Sequence, residues 1–203
     1  MKNINKGVEP SKFTQWKVQN PAANYDALHL APDVKNSVKQ ALIAEQFSLC
    51  CYCENEIANN KSSCHIEHLK PRKATPALQL SYTNMLASCE ADGHSAHCGH
   101  QKKNNSIPIH PLTANSVENF RFAMDGQVLP NPANNQAAIE TIKTLRLDNV
   151  RLNNFRAAAL SVLDSIEPSA VEEIAAWRNL YTQPINGKLP AFCSAMLYQL
   201  DQI

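Results

Sequence analysis

The sequence predicts an α+β fold that is mostly α-helical, with a small metal-stabilised module between two helical regions. Apolar residues recur at helical spacing near both ends of the chain. Between about 50 and 110 this spacing breaks, and short runs alternate with Asn, Ser, Pro and Gly. Cysteine and histidine are concentrated in the same stretch. We therefore divide the chain into an N-terminal helical extension (1–48), the module (49–110) and a C-terminal helical region (111–203).

Composition limits the possible classes of protein. The 203 residues are 44% hydrophobic and 18% charged, which suits a chain with a core of its own. Aromatic residues make up 6%, which argues against a β-barrel. The net charge of +1 excludes a uniformly basic nucleic-acid coat, so any site for a polyanion must be local. The sequence contains no run of 18 apolar residues, and its start lacks an apolar signal core, so we expect a cytoplasmic protein.

Helices are predicted on both sides of the module. The first runs from about residue 33 to the first cysteines, and two further apolar faces cover 139–145 and 152–166. A last helix carries Met196 and Leu200. Three signals predict where helices begin: Asp33 as an N-cap, a capping box at Ser169-x-x-Glu172, and Pro190.

Shorter elements are predicted in between. Cys50–Ile57 and Ser63–Leu69 have the pattern of two short strands or turns. We expect 76–88 to be a loop that leads into a short helix or turn, and 98–106 to be a short helix. The Pro-rich segment 108–133 contains an Asp-Gly turn, which indicates a β-hairpin or an ordered loop.

The cysteines predict a metal site. Six of the seven lie between positions 50 and 98, together with five of the seven histidines. In a reducing compartment such a cluster favours metal ligands over disulfides. We expect four thiolates to hold a structural zinc ion: Cys50, Cys53, Cys89 and Cys98. His94 or His97 could replace one ligand. The remaining cysteines, Cys51, Cys64 and Cys193, are expected to be buried free thiols.

A second group of residues suggests hydrolytic chemistry. In the run His65-Ile66-Glu67-His68, strand alternation puts His65 and Glu67 on one face and His68 on the other. A bulge or the strand end could still bring Glu67 and His68 around one pocket. A carboxylate can hold a hard cation, and a neutral imidazole can take a proton from water.

These motifs together resemble a known family. The ordered series CxYCE, HIEHLKPR, YxNMLASC and HCGHxK, over residues 50–105, resembles the HNH endonuclease family and its ββα-metal fold. The segments INKGVEP and EQFSLCCYCE resemble more narrowly the HNH subunit (PtuB-like) of Septu-type and retron-associated anti-phage systems.

The resemblance implies a role for each motif residue. His68 matches the general base, and Glu67 the acidic ligand of the catalytic divalent ion. Asn84 matches the residue that pins the loop orienting the base. In other branches His or Asn directly follows the last cysteine, where this sequence has glycine. We therefore assign the second metal ligand to His100, with His97 as the alternative.

The resemblance also implies cofactors, substrate and partner. The four cysteines match the structural zinc ligands of the zinc-containing branch, and the catalytic ion would be Mg²⁺ or Mn²⁺. The substrate would be DNA or RNA, with phosphate contacts from Lys70, Arg72 and Lys102, and Lys73 nearby. The partner in such systems is an ABC-family ATPase subunit (PtuA-like), for which the C-terminal helices could provide a docking surface.

Two other functions remain open at this point. A non-catalytic, zinc-stabilised module that binds nucleic acid or protein would need the four cysteines but not Glu67 and His68. A stand-alone restriction-type HNH nuclease would need the catalytic residues but no ATPase. The sequence contains no basic recognition helix of the kind that a homing enzyme would use.

Overall fold

The computed structural model describes residues 1–91, 93–167 and 169–203, and over these the fold is α+β and mostly helical, as predicted. The helices are α1 (Ser11–Gln19), α2 (Tyr25–Leu28), α3 (Pro32–Glu45), α4 (Cys98–Lys102), α5 (Gln136–Leu145), α6 (Val150–Leu160), α7 (Val171–Thr182) and α8 (Cys193–Leu200). The strands are β1 (Cys64–His68), β2 (Met85–Cys89), β3 (Phe120–Phe122) and β4 (Val128–Pro130). None of the described helices has the length and apolar character needed to span a bilayer.

The centre of the molecule is the antiparallel pair β1–β2, followed by α4. Cys64 lies opposite Cys89 and His68 opposite Met85, so the two strands are in register over their full length. The helix α4 packs against β2. The order along this segment is therefore strand, strand, helix, and the strand predicted over Ser63–Leu69 is present.

One prediction for this segment is confirmed and one is wrong. Of the two forms expected for Cys50–Ile57, strand or turn, the structure has the turn, closed by a bridge between Leu49 and Glu56. The end of the predicted loop 76–88 belongs to β2. All five residues of β2 are buried, so its sequence lacks the alternation that marks a half-exposed strand.

The N-terminal helices cover one side of this centre. Val38, Leu42 and Ile43 are the buried residues of α3, which packs against α1 and β2. The side chain of Gln46, at the end of α3, is buried and satisfies backbone groups that would otherwise lack partners. Its Nε2 donates to the carbonyls of Leu49 and Ala87, both at 2.8 Å, and its Oε1 accepts from the Ala87 N–H. Gln46 thus fixes the chain that leads into the first cysteines.

The C-terminal region contains the predicted hairpin. Strands β3 and β4 pair around a turn that includes Gly126 at φ +82°. The buried guanidinium of Arg156, on α6, donates to the Gly126 carbonyl. The helix α8 packs on β3, where Gln199 Nε2 donates to the Phe122 carbonyl at 2.7 Å. The buried apolar residues form one continuous cluster from the N-terminal helices to α8.

The helix-start predictions are wrong at all three positions. The helix α3 begins at Pro32, so Asp33 lies in its first turn instead of capping it. Ala170 is the N-cap of α7 and no described side chain caps this helix, so the predicted capping box of Ser169 and Glu172 does not form. The helix α8 begins at Cys193, three positions after Pro190.

Candidate metal centres and catalytic cleft

Four cysteine side chains converge in the interior, and they are the four that the sequence predicts: Cys50, Cys53, Cys89 and Cys98. Their sulfur atoms all lie within 4.8 Å of one another, and all four residues are buried. Cys53 Sγ and Cys89 Sγ are 3.7 Å apart. Two sulfurs bound tetrahedrally to one Zn²⁺ at about 2.3 Å would be about 3.8 Å apart. The group therefore fits a zinc ion.

Three segments supply these thiols. Cys50 and Cys53 come from the turn after α3, Cys89 ends β2, and Cys98 opens α4. The Cys89 N–H donates to Cys50 Sγ at 3.3 Å. Burial disfavours the Cys50 thiolate, but hydrogen bonds from the neighbouring thiols outweigh burial and hold its pKa well below the usual value. The thiolate is the form that binds a metal.

The other cysteines and His97 have different environments. His97 Nδ1 lies 3.2 Å from Cys98 Sγ, so this ring is beside the thiol group. Cys51, Cys64 and Cys193 are buried free thiols, as expected. The side chain of His94 lies outside the described part of the structure.

The Glu67 carboxylate is held between β1 and α4. Its Oε1 pairs with Lys102 Nζ at 2.8 Å and accepts from the Tyr52 hydroxyl at 3.2 Å. Its Oε2 lies 3.7 Å from His65 Nε2, on the face of β1 where alternation puts both residues. Burial raises the pKa of Glu67, but His65 and Lys102 outweigh it and lower the pKa. The group is therefore a carboxylate at neutral pH.

His68 is the last residue of β1, and strand alternation puts its side chain on the face opposite that of Glu67. His68 Nε2 lies 2.9 Å from the Gln79 carbonyl oxygen. A carbonyl only accepts, so Nε2 carries the hydrogen and Nδ1 keeps its lone pair. The ring meets the edge of Tyr25, with centroids 4.6 Å apart. Burial lowers the pKa of His68, so the imidazole is neutral at pH 7.

Asn84 ties together the ends of the loop between β1 and β2. Its Oδ1 accepts from the Lys70 N–H at 2.8 Å, and its Nδ2 donates to the carbonyls of Lys70 and Leu78 at 3.0 and 3.3 Å. The same loop carries Gln79, whose carbonyl holds His68. Asn84 is thus connected to the His68 ring through the loop.

A second group of ligand atoms lies beside α4 and consists of His65, Glu90 and His100. These atoms are within 4.8 Å of one another. His65 Nδ1 is 3.4 Å from Glu90 Oε1, and His100 Nε2 contacts Glu90 Oε2. Burial favours a neutral His65, but the carboxylates of Glu67 and Glu90 outweigh burial and raise its pKa. The local field therefore favours a positive charge at this place.

This second group opens into a cleft of about 630 Å³ with a basic lining. The lysines and arginine among its lining residues are Lys35, Lys39, Lys61 and Arg72. The Arg72 guanidinium lies over the Tyr25 ring at 4.4 Å and pairs with Asp26 at 3.3 Å. Lys70 and Lys73 are exposed. Lys102, which we expected to contact phosphate, is fully buried, and its Nζ donates to the His68 carbonyl at 2.9 Å.

Two residues of the second group were not among the predicted site residues. Glu90 directly follows Cys89, and His65 precedes Glu67 by two positions. The glycine after Cys98, Gly99, is the sequence feature that could have predicted them. It stands where other branches of the family are expected to have a histidine or asparagine, so a side chain from elsewhere in the chain could occupy that space.

Comparison with known proteins gives relatives but no family model, since none matches the chain. A candidate HNH endonuclease of retron Vc95 from Vibrio cholerae serotype O1 biovar El Tor is 29% identical, over 73% of each chain. A candidate HNH endonuclease of retron Ec83 from Escherichia coli is 27% identical, over 79% of each chain. The Septu protein PtuB of Bacillus thuringiensis is 25% identical, over 60% of this chain and 44% of PtuB.

These relatives confirm the resemblance inferred from the motifs. Both retron relatives are named as HNH endonucleases, the family that the motifs of this chain resemble. Within it, the chain is similar to the retron-associated proteins and to PtuB.

Proposed function

We propose that this protein is a metal-dependent HNH endonuclease that hydrolyses phosphodiester bonds of nucleic acid as the effector of an anti-phage system. The observation that carries the proposal is the arrangement around β1 and α4. His68 has a neutral ring with one free nitrogen, while Glu67 and His100 lie on adjoining elements next to a basic cleft. The relatives named as HNH endonucleases support it.

We further propose that residues 49–110 are the nuclease module, a ββα-metal unit stabilised by zinc on the four cysteines. Segments 1–48 and 111–203 would then be helical additions to it. The distance between Cys53 Sγ and Cys89 Sγ supports tetrahedral coordination of a zinc ion. The order of β1, β2 and α4 supports the ββα unit.

In the proposed reaction His68 acts as the general base. Nδ1 takes a proton from water as the water oxygen forms a bond to phosphorus. The bond from phosphorus to the 3′ oxygen breaks, and a proton from solvent completes the 3′-hydroxyl, leaving a 5′-phosphate on the other product. A divalent ion bound at His100 and near Glu67 would supply positive charge for the phosphate and the departing oxygen. Asn84 holds the loop that keeps the His68 ring in its tautomer.

The basic cleft is the proposed path of the nucleic-acid backbone. Arg72 is the phosphate contact that the geometry supports best, because it lines the cleft and is exposed. Lys70 is exposed and close to it in sequence. Lys102 has a different proposed role: it is buried against Glu67 and positions that carboxylate. An ABC-family ATPase subunit is the proposed partner, and exposed apolar side chains such as Val150 and Val171 offer it contacts.

Replacing His68 tests the proposal directly. We expect His68→Ala to reduce cleavage of plasmid or tRNA at least 100-fold, because general-base catalysis contributes about 10²–10⁴-fold. Zinc content and melting temperature should stay near those of the wild type. His110→Ala is the control, because the His110 ring contacts the Thr113 hydroxyl and is not among the proposed site residues. Full activity of His68→Ala, with the partner ATPase present, would remove His68 from the mechanism.

The same assay separates the other two functions. A non-catalytic zinc module would bind nucleic acid but cleave nothing under any metal condition. A stand-alone restriction-type nuclease would cleave equally well with and without the ATPase.

A further inference from the structure

We propose that His65, Glu90 and His100 together form a binding site for one divalent first-row transition-metal ion, and that Mg²⁺ binds there weakly. The inference rests on the proposed function in one respect only: it identifies the ligands of the ion that the nuclease would use. Binding of the ion can be measured without nucleic acid, so the two proposals can fail separately.

The three residues come from three adjoining elements. His65 is on β1, Glu90 directly follows β2, and His100 is on α4. Each offers one ligand atom, and the atoms lie within 4.8 Å of one another. The two imidazole rings meet at an angle of 64° with centroids 4.5 Å apart. Two imidazoles and one carboxylate around a common point form a set typical of divalent transition metals.

His65 provides a second, independent observation. Its Nδ1 is buried and has no hydrogen-bond partner among the described residues. Buried polar atoms are rarely left without a partner. This nitrogen faces Glu90 at 3.4 Å, while the other ring nitrogen faces Glu67 at 3.7 Å. A carboxylate behind a histidine that binds metal through its other nitrogen is a recurring arrangement, which fixes the tautomer and orients the ring. Glu67 is therefore a positioning residue for His65, and it is itself held by Lys102.

Gly99 explains why this sequence can seat His65 here. A Cβ at Gly99 would lie 2.6 Å from His65 Nε2 and 2.8 Å from Glu67 Oε2. Both distances are far inside van der Waals contact, so a side chain at 99 and the present positions of these two groups exclude each other. Because Gly99 has no side chain, the His65 ring can lie next to its Cα. The His65 imidazole thereby takes the space that a side chain at position 99 would fill.

The ligand types determine which ion is preferred. Mg²⁺ binds through one or two carboxylates and keeps several waters, and imidazole is a poor ligand for it. Two imidazoles favour ions such as Fe²⁺, Ni²⁺ or Zn²⁺, and Mn²⁺ is the first-row transition ion that such a site binds least tightly. Mn²⁺ nevertheless belongs to this transition-metal series and Mg²⁺ does not, so we expect Mn²⁺ to bind at least tenfold more tightly than Mg²⁺.

Titration with Mn²⁺, followed by electron paramagnetic resonance on the zinc-loaded protein, tests the site. We expect one Mn²⁺ per chain, retained in a tenfold excess of Mg²⁺. Glu90→Gln and His65→Ala should each weaken Mn²⁺ binding at least tenfold, and Gly99→Ala should do so without introducing a new ligand. Glu56→Gln is the matched control, because Glu56 is an exposed carboxylate paired with Lys188 on the surface.

Each outcome has one meaning. Unchanged Mn²⁺ binding in Glu90→Gln, or displacement of Mn²⁺ by equimolar Mg²⁺, overturns the inference even if the protein cleaves nucleic acid. Mn²⁺ binding that depends on His65 and Glu90, in a protein that cleaves nothing, supports the inference and contradicts the nuclease proposal. Circular dichroism identifies a variant that fails to fold, and in that case Glu90→Gln decides, because its side chain keeps the size of glutamate.

Discussion

At the scale of single residues, each group of the proposed site is held by a partner that limits what it can do. The Gln79 carbonyl leaves His68 with one free nitrogen. Lys102 and Tyr52 occupy one oxygen of Glu67 and leave the other directed at His65. The protonation states follow from these contacts and from burial: a neutral imidazole at His68 and a charged carboxylate at Glu67.

The state of His68 predicts how cleavage depends on pH. Only the neutral ring can accept a proton, and burial lowers the pKa of His68 below the ordinary value of 6.5. We therefore expect kcat/KM to fall on the acid side with a midpoint below pH 6.5. The measurement is a pH profile at saturating divalent ion, with a thermal melt at each pH to exclude unfolding. A midpoint above 6.5 would contradict the assignment of His68 as the base.

At the scale of elements, sequence pattern predicts the helices better than the strands. The apolar periodicity of α5 is visible because its apolar residues lie on a buried face. In α6 the pattern is weaker, because Arg156 is buried while Val150 and Phe155 are exposed. Strand β2 has no exposed face, so its sequence, MLASC, carries no alternation. The starts of α3 and α7 were missed because neither has the side-chain cap that the sequence pattern predicts.

The candidate site could be predicted from the sequence only in part. The four cysteines follow from sequence spacing, and the structure brings their sulfurs together. The group of His65, Glu90 and His100 depends on three elements meeting beside Gly99. That meeting is a matter of tertiary packing, which no local pattern records.

The hairpin β3–β4 gives a prediction about stability. Gly126 has φ +82°, and a Cβ there would lie 2.0 Å from the Asn153 carbonyl oxygen of α6. We expect Gly126→Ala to cost more than the ~1–2 kcal/mol of a left-handed non-glycine residue, because the clash is with helix backbone. Each kcal/mol should lower Tm by about 2–4 °C in a chain of this size. Calorimetry measures both.

Gly187 offers the matched control for this change. Its φ is +74°, and no atom of the described residues lies within 4 Å of a Cβ built there. Gly187→Ala should show the conformational cost alone. Equal losses for the two variants would mean that the hairpin moves away from α6 freely.

At the scale of the whole molecule, the four cysteines connect the turn after α3, strand β2 and helix α4. We expect Cys89→Ser to reduce zinc below one ion per chain and to lower Tm by at least about 10 °C, because a structural zinc contributes directly to folding. Elemental analysis and thermal melts measure the two effects. Cys64→Ser is the control: its thiol is buried but donates to the Ala58 carbonyl and lies outside the four. A full zinc complement in Cys89→Ser would contradict the proposed ligand set.

The shortness of α4 has a practical consequence. Five residues carry Cys98 at one end, Lys102 at the other and His100 between them. Loss of the proposed zinc ion would displace Cys98 and, through the short helix, Lys102 and His100 as well. A chelating agent would therefore disturb both proposed metal sites at once. Inactivation by EDTA thus does not measure the metal affinity of the site in the cleft. Restoring zinc first and manganese second is the order of addition that tells the two apart.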